Sequence, residues 1–198
     1  MKYKESSLSK GFTLVEILVS LALFGFVVII ATGTLIVLSS SNLSAQVSRK
    51  TIDNVDFILD DIVREARLGM NYHCGLTVNN DYESERVPSE CNLGNKAFTL
   101  TKIDTGDLVR YSTSTVAGKS VLMKQIVQKD TNTILFNSQI SGGEIDIKNI
   151  KFYVYGSEQG DSEPAYVFIT LQAELKKGSR YSTTVDLQTT VVQRALDN

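Results

Sequence analysis

The hydrophobic and polar positions divide the chain into three stretches with different periodicity. Residues 12–38 are apolar almost without interruption, and Glu16 is their only charged side chain. At about 1.5 Å per residue, a helix of this length would reach roughly 40 Å, more than the hydrocarbon core of a bilayer at about 30 Å. The first stretch is therefore predicted to be a membrane-spanning helix.

The second stretch, residues 39–69, has the stripe of an amphipathic helix. Small and apolar side chains recur there at steps of three and four: Leu43, Val47, Thr51, Val55, Ile58, Leu59, Ile62, Val63 and Ala66. Gly69 ends the pattern, and no proline interrupts residues 12–69, so we predict one continuous helix. The polar residues 39–42 are compatible with either a flexible joint or plain helix surface.

The third stretch, residues 70–198, contains a loop at 70–96 and then strand patterns. Seven strands are predicted, at residues 97–103, 107–113, 121–128, 133–137, 145–155, 165–175 and 180–193. The turn signals at 104–106 and 129–132 predict hairpins, and a change of parity near 148–149 predicts a bulge. The fold class is therefore α+β, with the long helix packed on one face of an antiparallel sheet.

Charge gives an orientation to this arrangement. The chain has a net charge of −2, but residues 1–11 carry Lys2, Lys4 and Lys10 against Glu5. The positive-inside rule then places 1–11 in the cytoplasm and exports the chain after the apolar stretch. The rest of the chain is mildly acidic, so bulk electrostatics give no support for nucleic-acid binding.

The junction Gly11-Phe12-Thr13-Leu14-Val15-Glu16, behind this basic leader, resembles the signal of type IV pilins and type II secretion pseudopilins. The resemblance implies that prepilin peptidase cuts between Gly11 and Phe12 and that the new Phe12 amine is N-methylated. It also implies that Glu16 acts in assembly, facing a Phe12 amine in a bundle of helices where each charge compensates the other.

The implied function is that of a structural subunit, a minor, priming or tip pilin or pseudopilin. Its partners would be other pilin subunits, the peptidase, membrane lipid and the assembly machinery, with localisation in the cytoplasmic membrane and then in a filament. Segments 60–67 and 187–194 further resemble J-type minor pseudopilins and W-type minor pilins.

Two other interpretations of the N-terminus stay open. A secretory signal peptide could be cut after Gly33, although its apolar region would exceed the usual length and Glu16 would have no role. A plain uncleaved anchor could hold a membrane-tethered binding or sensor domain. For Glu16 itself, the alternative to an assembly role is a side chain that reaches the water of the lipid headgroups and has no partner.

The two cysteines, Cys74 and Cys91, lie in the part predicted to be exported. A disulfide is the favoured use, because it would fix a loop too polar to form its own core. A metal site with His73 and free thiols are the alternatives, and the spacing lacks the paired pattern of zinc ligands.

No catalytic set is visible, so the chain is predicted not to be an enzyme and to need no metal or cofactor. The acidic residues of 53–65 are interpreted as a solvated helix face. A calcium loop at 156–163 is less favoured than a polar hairpin loop. Four strand tyrosines could form a binding surface or line a sheet face: Tyr153, Tyr155, Tyr166 and Tyr181.

Overall fold

A computed structural model describes residues 11–77, 81–158, 164–177 and 181–194. One helix, α1 (Leu14–Leu68), is followed by strands that we number in chain order. The strands are β1 (Gly69–Cys74), β2 (Phe98–Lys102), β3 (Leu108–Val116), β4 (Lys119–Val127), β5 (Ile134–Gln139), β6 (Ile145–Tyr155), β7 (Tyr166–Lys177) and β8 (Tyr181–Val192). A 3-10 turn, Ser84–Arg86, lies between β1 and β2.

The strands form two antiparallel sheets. The larger sheet has the order β1-β2-β3-β4-β5, and the smaller has the order β6-β7-β8. In each sheet, strands that are consecutive in the sequence are neighbours. The predicted hairpins at 104–106 and 129–132 are present, and the predicted bulge in β6 is confirmed by a register shift between Ile147 and Asn149.

The chain divides into two compact units, the first ending at Leu43 and the second beginning at Ser44. In the second unit, the apolar stripe of α1 contributes Val47, Val55, Ile58, Leu59, Ile62 and Ala66 to the core. Both sheets supply the other side of that core, including stacked rings of Phe98 and Phe152 whose centroids are 5.5 Å apart. Burial of this stripe is the main stabilising term for the second half of the helix. The predicted α+β architecture is confirmed.

Two details of the prediction were wrong. First, residues 69–74 were assigned to a loop, but they form β1, which pairs with β2 directly after the helix ends. Their sequence, GMNYHC, has no clear alternation, and pairing with a neighbouring strand decides the structure instead. Second, a single sheet was predicted, whereas the strands divide into two sheets between β5 and β6.

Candidate functional site

The predicted cleavage junction lies immediately before the first turn of α1. Gly11, Phe12 and Thr13 have no regular secondary structure, and the helix begins at Leu14. The side-chain oxygen of Thr13 accepts a hydrogen bond from the backbone N–H of Glu16 at 3.3 Å. Thr13 is therefore the N-cap, which satisfies one of the donors that a helix start leaves without a partner.

Thr13 followed three residues later by Glu16 has the spacing of a capping box, which sequence analysis did not recognise. The hydrogen bond to Thr13 comes from the backbone N–H of Glu16 and does not depend on the carboxylate. The carboxylate lies in the first turn, where it interacts favourably with the helix dipole. The helix dipole is thus a local physical reason for a glutamate at this position, separate from any role in assembly.

The apolar part of α1 is exposed around its whole circumference. The large side chains on all sides are more than 40% exposed, among them Phe12 (77%), Leu14 (76%), Ile29 (73%) and Leu38 (60%). By length and composition, this helix is able to cross a membrane, with an 18-residue window of mean hydropathy 2.8. A helix that is apolar all round is stable only when lipid or other helices cover it.

Gly25 and Gly33 lie within this apolar surface, and the helix continues through both. A Cβ atom added at either position would meet nothing within 4 Å. These glycines are therefore not required by packing inside the protein. Glycine is common where two helices approach each other closely in a membrane.

In the second unit, an ionic cluster joins the end of α1 to the larger sheet. Lys124 donates to both oxygens of Asp61, at 3.0 and 2.9 Å, and to Glu65 at 2.8 Å. Tyr111 also donates to Asp61, at 2.8 Å. Burial would raise the pKa of the Asp61 carboxyl, but the hydrogen bonds from Lys124 and Tyr111 outweigh it and hold the pKa below its usual range.

This cluster corrects the interpretation of residues 53–65 as a solvated acidic face. Asp53, Asp56 and Asp60 are exposed, as expected, whereas Asp61 is buried and Glu65 is half-buried toward the sheet. Asp61 lies directly beside the apolar position Ile62 in the sequence. The helical spacing of apolar residues therefore does not distinguish Asp61 from the exposed acids. One sequence signal points to the burial of Asp61. It is Lys124, a lysine on a strand whose neighbouring residues belong to the core.

Two contacts fix the segment between β1 and β2. Cys74 and Cys91 form a disulfide, the use that the sequence favoured. The carboxylate of Glu85, which is fully buried, binds Arg110 of β3 in a two-pronged ion pair, with Nε and Oε2 at 2.9 Å. Glu85 also accepts from Thr77. No sequence pattern indicates this pair, because the segment has no periodicity that distinguishes a buried glutamate from an exposed one.

The tyrosines of the smaller sheet lie on its outer face. Tyr155 stacks on Tyr166 with centroids 5.1 Å apart, and Tyr153 packs against Phe168 at 5.7 Å. They are partners across neighbouring strands, an arrangement that itself stabilises a sheet. The side chain of Tyr181 and residues 159–163 of the suggested calcium loop lie outside the described residues.

Comparison with family models gives a match at the N-terminus of the chain. The family model described as the prokaryotic N-terminal methylation motif matches residues 6–32, which include the Gly11-Phe12 junction, Glu16 and most of the apolar surface. Searches of curated proteins and of solved structures found no significant match to the chain. The N-terminal segment therefore carries a methylation motif that supports the signal family of type IV pilins and pseudopilins.

Proposed function

We propose that the protein is a minor subunit, of the priming or tip kind, of a type IV pilus-like or type II secretion filament. The observation that carries this proposal is the coincidence of two features on one helix. The methylation motif matches residues 6–32, and the same region exposes an apolar surface that water does not stabilise.

The first step is processing at the membrane. Prepilin peptidase hydrolyses the peptide bond between Gly11 and Phe12 on the cytoplasmic side, and the released Phe12 amine is then methylated. Gly11 suits such a cut, because it has no side chain and, apart from its chain neighbours, no atom of the described residues lies within 4 Å of its Cβ position. The N-terminus of the mature chain then lies at the positive end of the helix dipole.

The second step is transfer of the helix from lipid into a bundle of subunits. The exposed apolar surface of α1 leaves the lipid and packs against neighbouring helices. The membrane therefore holds the subunit until it is assembled. Glu16 then pairs with the Phe12 amine of a neighbouring subunit or of its own chain. When two opposite charges pair in a low-dielectric bundle, each offsets the free-energy cost of burying the other without a partner.

The body of the second unit favours a minor rather than a major subunit. It contains two sheets, a disulfide-linked segment and a long irregular connection, and such a surface repeats poorly along a filament built from many copies. The resemblance of segments 60–67 and 187–194 to J-type minor pseudopilins and W-type minor pilins supports the same proposal. Asp61 and Glu65 in the first of these segments belong to the ionic cluster that holds the helix to the sheet.

Intact mass spectrometry of the membrane-extracted protein tests this proposal. In cells with an active prepilin peptidase, we expect a chain that starts at a methylated Phe12. Gly11→Val should block the cut without disturbing the fold, because the space around Gly11 is open. Gly25→Val, at an equally open glycine, is the matched control and should be processed normally. A full-length wild-type chain would instead indicate an uncleaved, membrane-tethered domain.

A further inference from the structure

The two sheets have four edges, and two of them are covered. Ser89 covers β1, since its N–H donates to Tyr72 at 3.0 Å and its carbonyl accepts from Cys74 at 3.1 Å. Asn95 covers β6 through two backbone hydrogen bonds to Phe152, at 2.9 and 2.8 Å. Within the described parts of the chain, no strand pairs with the outer edges of β5 and β8.

These two open edges differ in chemistry. β8 presents mostly hydroxyl and amide side chains on its exposed face, with the charge of Asp186 near its middle. β5 exposes Ile134 (47%), Leu135 (57%) and Phe136 (42%), and no charged residue occurs in 131–143. Natural proteins usually protect an open edge with lysine, proline or an inward charge. β5 has none of these three.

The sequence around β5 is complementary to itself in the antiparallel direction. When Leu135 is placed opposite Leu135 of a second copy, Ile134 lies opposite Phe136. Continuing outward, the polar residues pair as Thr133 with Asn137, Asn132 with Ser138, and Thr131 with Gln139. Apolar residues thus meet apolar residues and polar residues meet polar ones, as a two-fold symmetric contact requires.

A β-bulge lies at the centre of this segment. The register between β4 and β5 shifts, so that Ile126 is opposite Phe136 while Val127 is opposite Ile134. Leu135 is the extra residue of this bulge, and the ladder gives it no partner in β4. A bulge can protect an edge by bending it, but within the described residues the outer edge of β5 still has no partner strand.

We infer that β5 is a self-association edge, which pairs antiparallel with β5 of a second copy about a two-fold axis at Leu135. The lack of charged residues around β5 favours a second copy of the chain as the partner. A charged side chain near the two-fold axis would lie beside the same charge of the other copy and would be repelled by it. A contact of one short strand is small and therefore weak in dilute solution. Anchoring in the same membrane would raise the effective concentration of the copies.

Cysteine crosslinking of the full chain in membranes tests this inference. Residues directly opposite in antiparallel strands have Cα atoms about 4.5–5.5 Å apart, which suits a disulfide. Leu135→Cys should therefore give a disulfide-linked species of twice the chain's mass under mild oxidation. Val116→Cys, at another exposed apolar position on a different strand, and Gln188→Cys, on the other open edge, should stay monomeric.

A second variant separates association from folding. Leu135→Asp adds like charges at the axis while leaving an exposed position exposed. The dimer, followed for this variant with an amine-reactive crosslinker in membranes, should be lost and the melting temperature kept. Equal crosslinking of all three cysteine variants would overturn the inference, as would a linked product that contains a different protein. Processing at Gly11 is measured separately by mass, so failure of the dimer and failure of the proposed function are distinguishable.

Discussion

Lys124 and Asp61 hold the end of the helix against the larger sheet, with Nζ within 3.0 Å of both carboxylate oxygens. Both side chains are about nine-tenths buried, and Tyr111 and Glu65 satisfy further hydrogen bonds of the pair. A buried ion pair gives little net stability compared with an apolar pair, but loss of one partner is costly. The cluster therefore specifies how the helix is placed on the sheet.

Removing one member of this pair should destabilise the second unit. Asp61→Ala leaves Lys124 buried with only Glu65 as a charged partner, so we expect the free energy of unfolding to fall by about 2–4 kcal/mol. Asp53→Ala, an exposed acid on the same helix, should change it by less than about 0.5 kcal/mol. Chemical denaturation of the full chain in detergent measures both, and equal effects would contradict the prediction.

The same pair should make stability depend on pH in the acid range. The pKa of Asp61 is lower in the folded chain than in the unfolded one, so its contribution is fully present above the ordinary pKa of an aspartate. It is lost as the pH falls through the lower, folded value. Asp61→Asn should therefore lose less stability than the wild type between neutral pH and about pH 3. Parallel curves for the two proteins would show that other carboxylates dominate.

Reduction of the disulfide should loosen the segment between β1 and β2. The crosslink joins cysteines 17 residues apart, for which chain entropy predicts about 3 kcal/mol of stabilisation. The double variant Cys74→Ser, Cys91→Ser should be less stable by about that amount and cleaved faster by protease in this segment. Non-reducing peptide mapping should find the two cysteines linked in the exported protein. Finding both alkylated would refute the pairing.

Two substitutions at Glu16 separate helix capping from charge pairing. Glu16→Gln keeps the capping-box chemistry but removes the charge, whereas Glu16→Val removes both. If Glu16 pairs with a Phe12 amine, both variants should insert into the membrane normally and both should be incorporated less into filaments or complexes. Quantitative immunoblotting of the sheared or purified assembly measures this. Normal incorporation of Glu16→Gln would assign the residue to capping alone.

The helix was readily predicted, because its signal is long and repeated. The stripe from Val47 to Ala66 persists over several turns, and Gly69 marks its end within one residue of the observed boundary. The strands of the smaller sheet were also predictable, since β7 alternates with period two and buries Val167, Ile169 and Leu171 on one face.

The division into two sheets and the two buried ion pairs were not predictable. Which strands pair depends on contacts between residues far apart in the sequence, and no local pattern between Gln139 and Ile145 marks the change of sheet. Glu85 and Asp61 are ordinary acids by sequence. Their burial depends on pairing with Arg110 and Lys124, which lie on strands that come later in the sequence.

The direct passage from Leu68 of the helix to Gly69 of β1 has a mechanical consequence. With no intervening loop to stretch, tension on the helix reaches the hydrogen bonds between β1 and β2 at once. Gly69 itself cannot gain a side chain without conflict, since its Cβ would lie 2.7 Å from Leu100. At the far end of β1, the link from Cys74 to Cys91 passes part of the load to a second point of the chain. Force applied along the helix would therefore act directly on the folded body.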